Sequence, residues 1–186
     1  HVPYGATEAL PVASATAEQI LAGPARLTAR GKGTCLGRPL PGIEIRILPI
    51  SETQIASMVT TEELPPNEIG EITVSGPNVT KAYDGDEEAN RAHKIRDGEV
   101  IWHRMGDLGY LSDDGRLWFC GRKNQRVLCA DKTLFTIPCE AIFNKYPDVK
   151  RSALVGIGPK GKQIPIIVIE ARPGKNPESD LEDHQF

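Results

Sequence analysis

At 186 residues, with 39% hydrophobic and 25% charged side chains, the chain is long enough to bury one substantial core or two small ones, and it reads as a soluble globular protein. A formal charge of -3 with interspersed signs leaves no basic run to hold a phosphate backbone, so nucleic acid is not an expected partner. No apolar run has the length of a membrane span and no stretch has the order of a signal peptide; the expected compartment is the cytoplasm.

The opening stretch HVPYGATEALPVAS reads as a short loop that packs Tyr4, Gly5, Thr7 and Glu8 closely. Such a loop places a flat ring against a nucleobase, a hydroxyl near a phosphate oxygen and a hard carboxylate on Mg²⁺, although an ordinary turn has the same composition. The stretch ARGKGTCLG is no P-loop, because Arg26 stands where that pattern needs glycine; it reads as a connection into a strand. From Gly33 to about Gly121, Gly and Pro punctuate short β-branched runs. GIEIRILPI alternates, EIGEITVSGP follows a Pro-Pro turn, and LGYLSDDGRLWFCG forms a hairpin about Asp114-Gly115. This is a compact antiparallel β unit, interrupted by a polar segment from Asp84 to Gly98 expected to be a short helix and a loop.

After GRKNQRV the pattern changes. IPCEAIFNKYP sets Ile137, Ala141, Ile142 and Tyr146 at helical spacing behind Pro138, and SALVGIG and PIIVIEAR read as strands joined by the turn-rich GPKGKQ. A second α+β domain is therefore expected from near Asn124. The tail NPESDLEDHQF begins like a helix capped by Ser179 or Asp180.

Candidate chemistry is concentrated in few places. Asp107 lies in MGDLG between two glycines, where an ionised carboxylate has lone pairs for both hydroxyls of a ribose; a solvated turn aspartate is the alternative. Asp113 and Asp114 read as the hairpin tip. Cys35, Cys120, Cys129 and Cys139 form no CxxC pair and have no histidines at zinc spacing, so they read as reduced structural thiols. The low aromatic content speaks against a base-stacking platform. Lys160 and Lys162 in a hairpin tip, and Lys175 in a Pro/Gly-rich turn, read as solvated charges.

Taken together and in order, YGATE, GKGTCLGRPLPGIEIRI, GEITVSGPNVTKAY and MGDLGYLSDDGRLWFCGRKNQRV resemble the adenylate-forming superfamily of acyl-CoA ligases, peptide-synthetase adenylation domains and luciferases. Within it, PYGATEALPVA, WHRMGDLGYL, GRLWFCGRK and LFTIPCEAIFN are most similar to the OleC group, the β-lactone synthetases of bacterial olefin biosynthesis.

The resemblance, which runs from His1 to about Arg172, implies an α+β fold in three parts: residues 1-32 end a large adenylating domain, residues 33-123 form a barrel-like antiparallel β subdomain, and residues 124-186 are part of a small mobile domain. It implies that Tyr4 lies on adenine with Gly5 beside it, that Thr7 sits near the α-phosphate, that Glu8 binds Mg²⁺, that Asp107 and Arg122 meet the ribose, and that Asn124 is the hinge. Many relatives carry Asp or Lys at that hinge.

The implied cofactors are ATP and Mg²⁺. The implied partners are a long-chain acyl substrate, a β-hydroxy acid, and other enzymes of olefin biosynthesis. Where many acyl-CoA ligases have a glycine-bearing loop lining the thiol channel, this chain has ADKTLFTIPCE, which weakens the case for coenzyme A. An AMP-forming acyl-CoA ligase or fatty-acyl-AMP ligase shares the first half-reaction, and a non-catalytic binding module is the reading from another class. The superfamily's upstream phosphate loop and C-terminal lysine find no match in the sequence, so it is expected to be a C-terminal fragment that does not catalyse by itself.

Overall fold

The computed structural model describes residues 1–175 and shows the α+β organisation with antiparallel sheets expected from the sequence. The chain begins with β1 (Val2–Ala6) and β2 (Ala9–Ala15), an antiparallel hairpin. This corrects the expectation of a loop at the opening. The motif stands on paired strands, with Thr7 and Glu8 at the turn between them.

Two short helices follow. α1 (Ala17–Leu21) is held by a reciprocal cap in which Thr16 Oγ1 accepts from the Gln19 backbone N–H at 3.1 Å while Gln19 Oε1 accepts from that of Thr16 at 2.8 Å. α2 (Pro24–Thr28) starts on proline, whose absent N–H is no loss in a first turn.

β3 (Thr34–Pro39), β4 (Glu44–Leu48) and β5 (Gly70–Ser75) come next. Alternation in β4 buries Ile45 and Ile47 and leaves Glu44 and Arg46 to pair outside at 2.9 Å. α3 (Glu87–His93) is capped by Asp86, whose Oδ1 accepts from the Ala89 N–H at 2.8 Å. The polar stretch then continues as a further strand, β6 (Lys94–Asp97), where a loop was expected. Its lysine and arginine conceal it, but β6 pairs along its whole length with the start of β7 (Val100–Leu111), which turns through Ser112–Arg116 into β8 (Leu117–Arg122).

The strands from β1 to β8 make one eight-stranded sheet of order β1-β2-β3-β8-β7-β5-β4, with β6 on the free part of β7. Its principal apolar cluster includes Val12, Leu36, Ile45, Ile47, Ile72, Val74, Met105 and Leu117. Burying one such Ile or Leu contributes roughly 1.5–3 kcal/mol. Gly109 is required where β7 meets β8: a Cβ there would stand 2.1 Å from the Trp118 carbonyl oxygen. Beside it the rings of Tyr110 and Trp118 stack at 5.9 Å.

A 3-10 turn at Lys123–Gln125 leads out of the sheet to the short ribbon β9 (Val127–Leu128) and β10 (Thr133–Leu134). α4 (Thr136–Asn144) then packs on β11 (Val149–Ile157), which pairs with β12 (Ile164–Ala171). The expected caps Ser179 and Asp180 lie outside the described residues. Among the described residues no helix is long and apolar enough to cross a membrane.

Candidate active site

The register of the first hairpin shifts between Tyr4 and Ala6, and the backbone closes so tightly at Gly5 that a Cβ would meet the Ala9 carbonyl oxygen at 2.4 Å. That approach explains the glycine and turns Tyr4 inward. Its ring lies 6.3 Å from that of Phe119, and its hydroxyl donates to Asp107 Oδ2 at 2.7 Å.

Asp107 follows Gly106, which adopts φ 67, and pairs in register with Arg122 of β8. It is 4% exposed. Burial raises its carboxyl above the usual range, against the opposing pull of the Tyr4 hydroxyl and the Arg122 charge. Burial likewise pushes the Tyr4 hydroxyl up, reinforced by the Asp107 charge. Arg122 Nη1 pairs with Asp107 Oδ1 at 2.9 Å, and that enclosed oxygen has no partner besides this ion pair.

Glu8 heads a second cluster. Its Oε1 accepts from the Tyr83 hydroxyl at 3.0 Å. Desolvation would raise its pKa, but its own backbone N–H, the Tyr83 hydroxyl, and the nearby His103 and Lys94 together hold it below the ordinary carboxylate value. Lys94 is buried under the Tyr83 ring, 5.4 Å from its centroid, and donates to Thr80 O at 2.8 Å and Thr80 Oγ1 at 3.0 Å. Burial lowers its pKa to about 8. His103, beside it on β7, is lowered to about 4 by burial and then by the Lys94 charge, and is therefore neutral at physiological pH. Tyr83, its own hydroxyl raised to about 12 by burial and Glu8, completes a patch with His93.

Both clusters border one cleft of about 840 Å³. Gly5, Thr7, Glu8, Arg122 and Asn124 line it directly, while Tyr4 and Asp107 stand behind Arg122. Thr7 and Asn124 are exposed. Lys160, at the β11–β12 turn, also reaches the cleft wall, whereas Lys175 pairs with Asp148 at 3.3 Å.

Two further lining residues, Arg104 and Lys123, belong to a charged knot invisible to sequence reading. Glu71 of β5, 1% exposed, accepts from Arg104 Nη2 at 2.6 Å and from Lys123 Nζ at 3.2 Å. Arg104 and Lys123 also donate to the Ser51 carbonyl. Tyr83, Lys94, His93 and His103 were missed as well. The only signal for Tyr83 was its place at the end of TKAY, and for His103 its place in WHRMGD.

These residues fit a nucleotide and its metal. Asp107 Oδ1, whose one partner is the half-exposed Arg122, has room among its lone pairs for a hydroxyl donor such as a ribose supplies once that side chain moves aside. Glu8 Oε2 receives no hydrogen bond from another described residue, and the carboxylate stays ionised. Among the described residues no three His, Cys, Asp or Glu side chains form a metal cage. A single carboxylate suits Mg²⁺, which retains waters and is otherwise held by substrate phosphates.

A family model described as AMP-binding enzyme matches residues 1–84. The chain is 45% identical over 177 residues to the olefin beta-lactone synthetase of Xanthomonas campestris, covering 92% of this chain and 32% of that protein. It thus spans about a third of the length of that relative. Its fold matches o-succinylbenzoate CoA synthetase from Bacillus subtilis in complex with the acyl-adenylate intermediate OSB-AMP, with a TM-score of 0.74 at 24% identity, over 97% of this chain and 33% of that one. The same synthetase in complex with ATP and magnesium ion gives a TM-score of 0.59 at 29% identity, over 73% of this chain and 25% of that one.

Proposed function

The chain belongs to the AMP-binding, adenylate-forming enzymes, and from that premise we propose that the protein containing it activates a carboxylic acid with ATP, releasing pyrophosphate and later AMP. The observation that carries this reading is Asp107: a buried carboxylate between Tyr4 and Arg122, one oxygen held only by the Arg122 charge, directly behind the Arg122 that lines the cleft with Thr7 and Glu8.

In this reading Asp107 takes the ribose hydroxyls, and Arg122, already at the carboxylate and more than half exposed, swings onto the same sugar. Tyr4 backs the base. Thr7 donates its hydroxyl to the α-phosphate, and Glu8 would hold Mg²⁺, which when bound would supply charge neutralisation at the phosphates. The protein's task is to position the acid's carboxylate in line with the α-phosphorus and to hold the departing pyrophosphate's charge. Residues 1-32 and 33-123 act as one platform, and residues 124-186 as a small domain that turns about Asn124.

The finer reading is that the acid is a long-chain β-hydroxy acid whose own hydroxyl closes on the activated carboxyl to give a β-lactone. The 45% identity to a beta-lactone synthetase supports it. So does ADKT, where a thiol channel would need glycine.

The test is mass spectrometry of the complete protein given ATP, Mg²⁺ and a long-chain β-hydroxy acid. The expected product is lighter than the acid by one water and forms without coenzyme A. An acyl-CoA thioester as the main product would keep adenylation and remove the lactone. Asp107→Ala should weaken nucleotide use by on the order of 1.5–3 kcal/mol, the worth of a hydrogen bond to a charged group, measured as kcat/KM for ATP in pyrophosphate exchange.

A further inference from the structure

The rings of Tyr83, His93 and His103 stand in a triangle with centroids 6.1 to 6.4 Å apart, beside the Glu8 carboxylate that Tyr83 holds. His103 is 2% exposed, and its Nδ1 lies 3.2 Å from the backbone carbonyl oxygen of His93. A carbonyl oxygen only accepts, so in the neutral ring Nδ1 carries the proton and Nε2 presents a lone pair. Nε2 has no hydrogen-bond partner among the described residues, and it is not one of the unpartnered atoms that are fully enclosed. It opens on the cleft, of whose wall His103 is part. Lys94, the cross-strand partner of His103, does not bond Nε2, because its ammonium is turned to Thr80.

A buried, neutral acceptor facing a cleft discriminates by chemistry. It is satisfied by an O–H or N–H donor and repels a carboxylate or phosphate oxygen, which offers only lone pairs. We propose that His103 Nε2 accepts a hydrogen bond from a hydroxyl that the acyl substrate carries close to its carboxylate, and so makes His103 the residue that separates hydroxy acids from unsubstituted acids. This rests on the adenylating function proposed above. The location is consistent with the substrate's own dimensions. The reacting carboxylate has to meet the α-phosphate near Thr7 and Glu8, and a β-hydroxyl is attached only two carbons away. The group that reads it must stand beside Glu8, as His103 does. An unsubstituted acid would leave Nε2 dry and unpaired.

The experiment is pyrophosphate exchange by the complete protein with a matched pair, a long-chain β-hydroxy acid and the same acid without the hydroxyl. The wild type should favour the hydroxy acid in kcat/KM by on the order of 100-fold or more, as sites built to bond a hydroxyl do. In His103→Phe, which fills the space without an acceptor, the ratio should collapse to within about threefold of unity. His103→Gln, whose amide oxygen can reach the place of Nε2, should restore part of it, with thermal unfolding confirming that each variant is folded. A ratio unchanged in folded His103→Phe, with both acids slowed equally, would put Nε2 on the metal or nucleotide side and overturn the proposal. Exchange with neither acid in the wild type would overturn the adenylating function itself and this proposal with it.

Discussion

β7 and β12 have similar apolar weight in sequence and opposite surroundings in the structure. In β7, VIWHRMGDLGYL, even the charged and titratable members are enclosed: His103 is 2% exposed, Arg104 3% and Asp107 4%. In β12, IPIIVIEA, Ile167 and Ile169 are half-buried and the alternate apolar members face outward, with Ile164 66% exposed and Val168 55%. β7 has β5, β6 and β8 along its edges, whereas β12 has β11 alone. Composition makes a strand; the number of neighbours decides which of its side chains leave water. The candidate site lies where the neighbours are many, and there burial moves the pKa of Asp107 up and that of His103 down.

The sharpest way to break this contrast is to remove the charge at the centre of the crowded region. Glu71→Ala would leave Arg104 and part of Lys123 buried without their carboxylate, and unfolding free energy should fall by on the order of 3–5 kcal/mol. Chemical denaturation would measure it, and a loss below about 1 kcal/mol would mean that Arg104 finds enough compensation in the Ser51, Thr53 and Ala92 carbonyls.

The next effect is on acid stability. The imidazole of His103 titrates near 4 when folded and near 6.5 when free, so between those values the folded chain binds fewer protons than the unfolded one. Its contribution is complete above about pH 6.5 and is lost as pH falls through 4, a total of about 3 kcal/mol. The difference between the wild-type and His103→Gln stability curves should therefore narrow across that interval, and parallel curves would show that the ring is not desolvated.

The smallest effect belongs to the open ribbon. Ile166→Thr, at a side chain 40% exposed, should change stability by less than about 0.5 kcal/mol. A loss of several kcal/mol in the complete protein would show that another part of the molecule covers this face, and the contrast with β7 would disappear.

Much of the fold was legible because its strands announce themselves locally. The alternation in EIRIL, the Asp-Gly turn at 114 and 115, and the spacing of Ile137, Ala141 and Ile142 each correspond to an element, although α4 ends at Asn144 and leaves Tyr146 in the turn beyond it. β6 was not legible, since Lys94-Ile-Arg-Asp97 looks like surface until Tyr83 is seen lying over Lys94. The opening reads as a loop because YGATE has turn composition; its strand character comes from pairing with β2, three to thirteen residues away in register. Of the site, the carboxylates Glu8 and Asp107 were visible through their motifs, while their partners were not. Tyr83 lies 75 residues from Glu8 and Tyr4 103 from Asp107, and no local pattern encodes pairings at such separation. The knot of Glu71, Arg104 and Lys123 is harder still, because a charged residue in a single sequence is expected at the surface.

The backbone on either side of Asn124 is tied down by two fastenings of unlike character. Upstream, Lys123 reaches the enclosed Glu71; downstream, Arg126 is bonded to Glu52, whose side chain is 66% exposed. Dissolved salt shields the second pairing, whose acidic member lies in water, and hardly touches the first, since mobile ions act over about 8 Å of solution at physiological strength and not through a packed interior. Ionic strength therefore acts unevenly at this junction: raising it loosens the Arg126–Glu52 fastening and leaves the Lys123–Glu71 one in place.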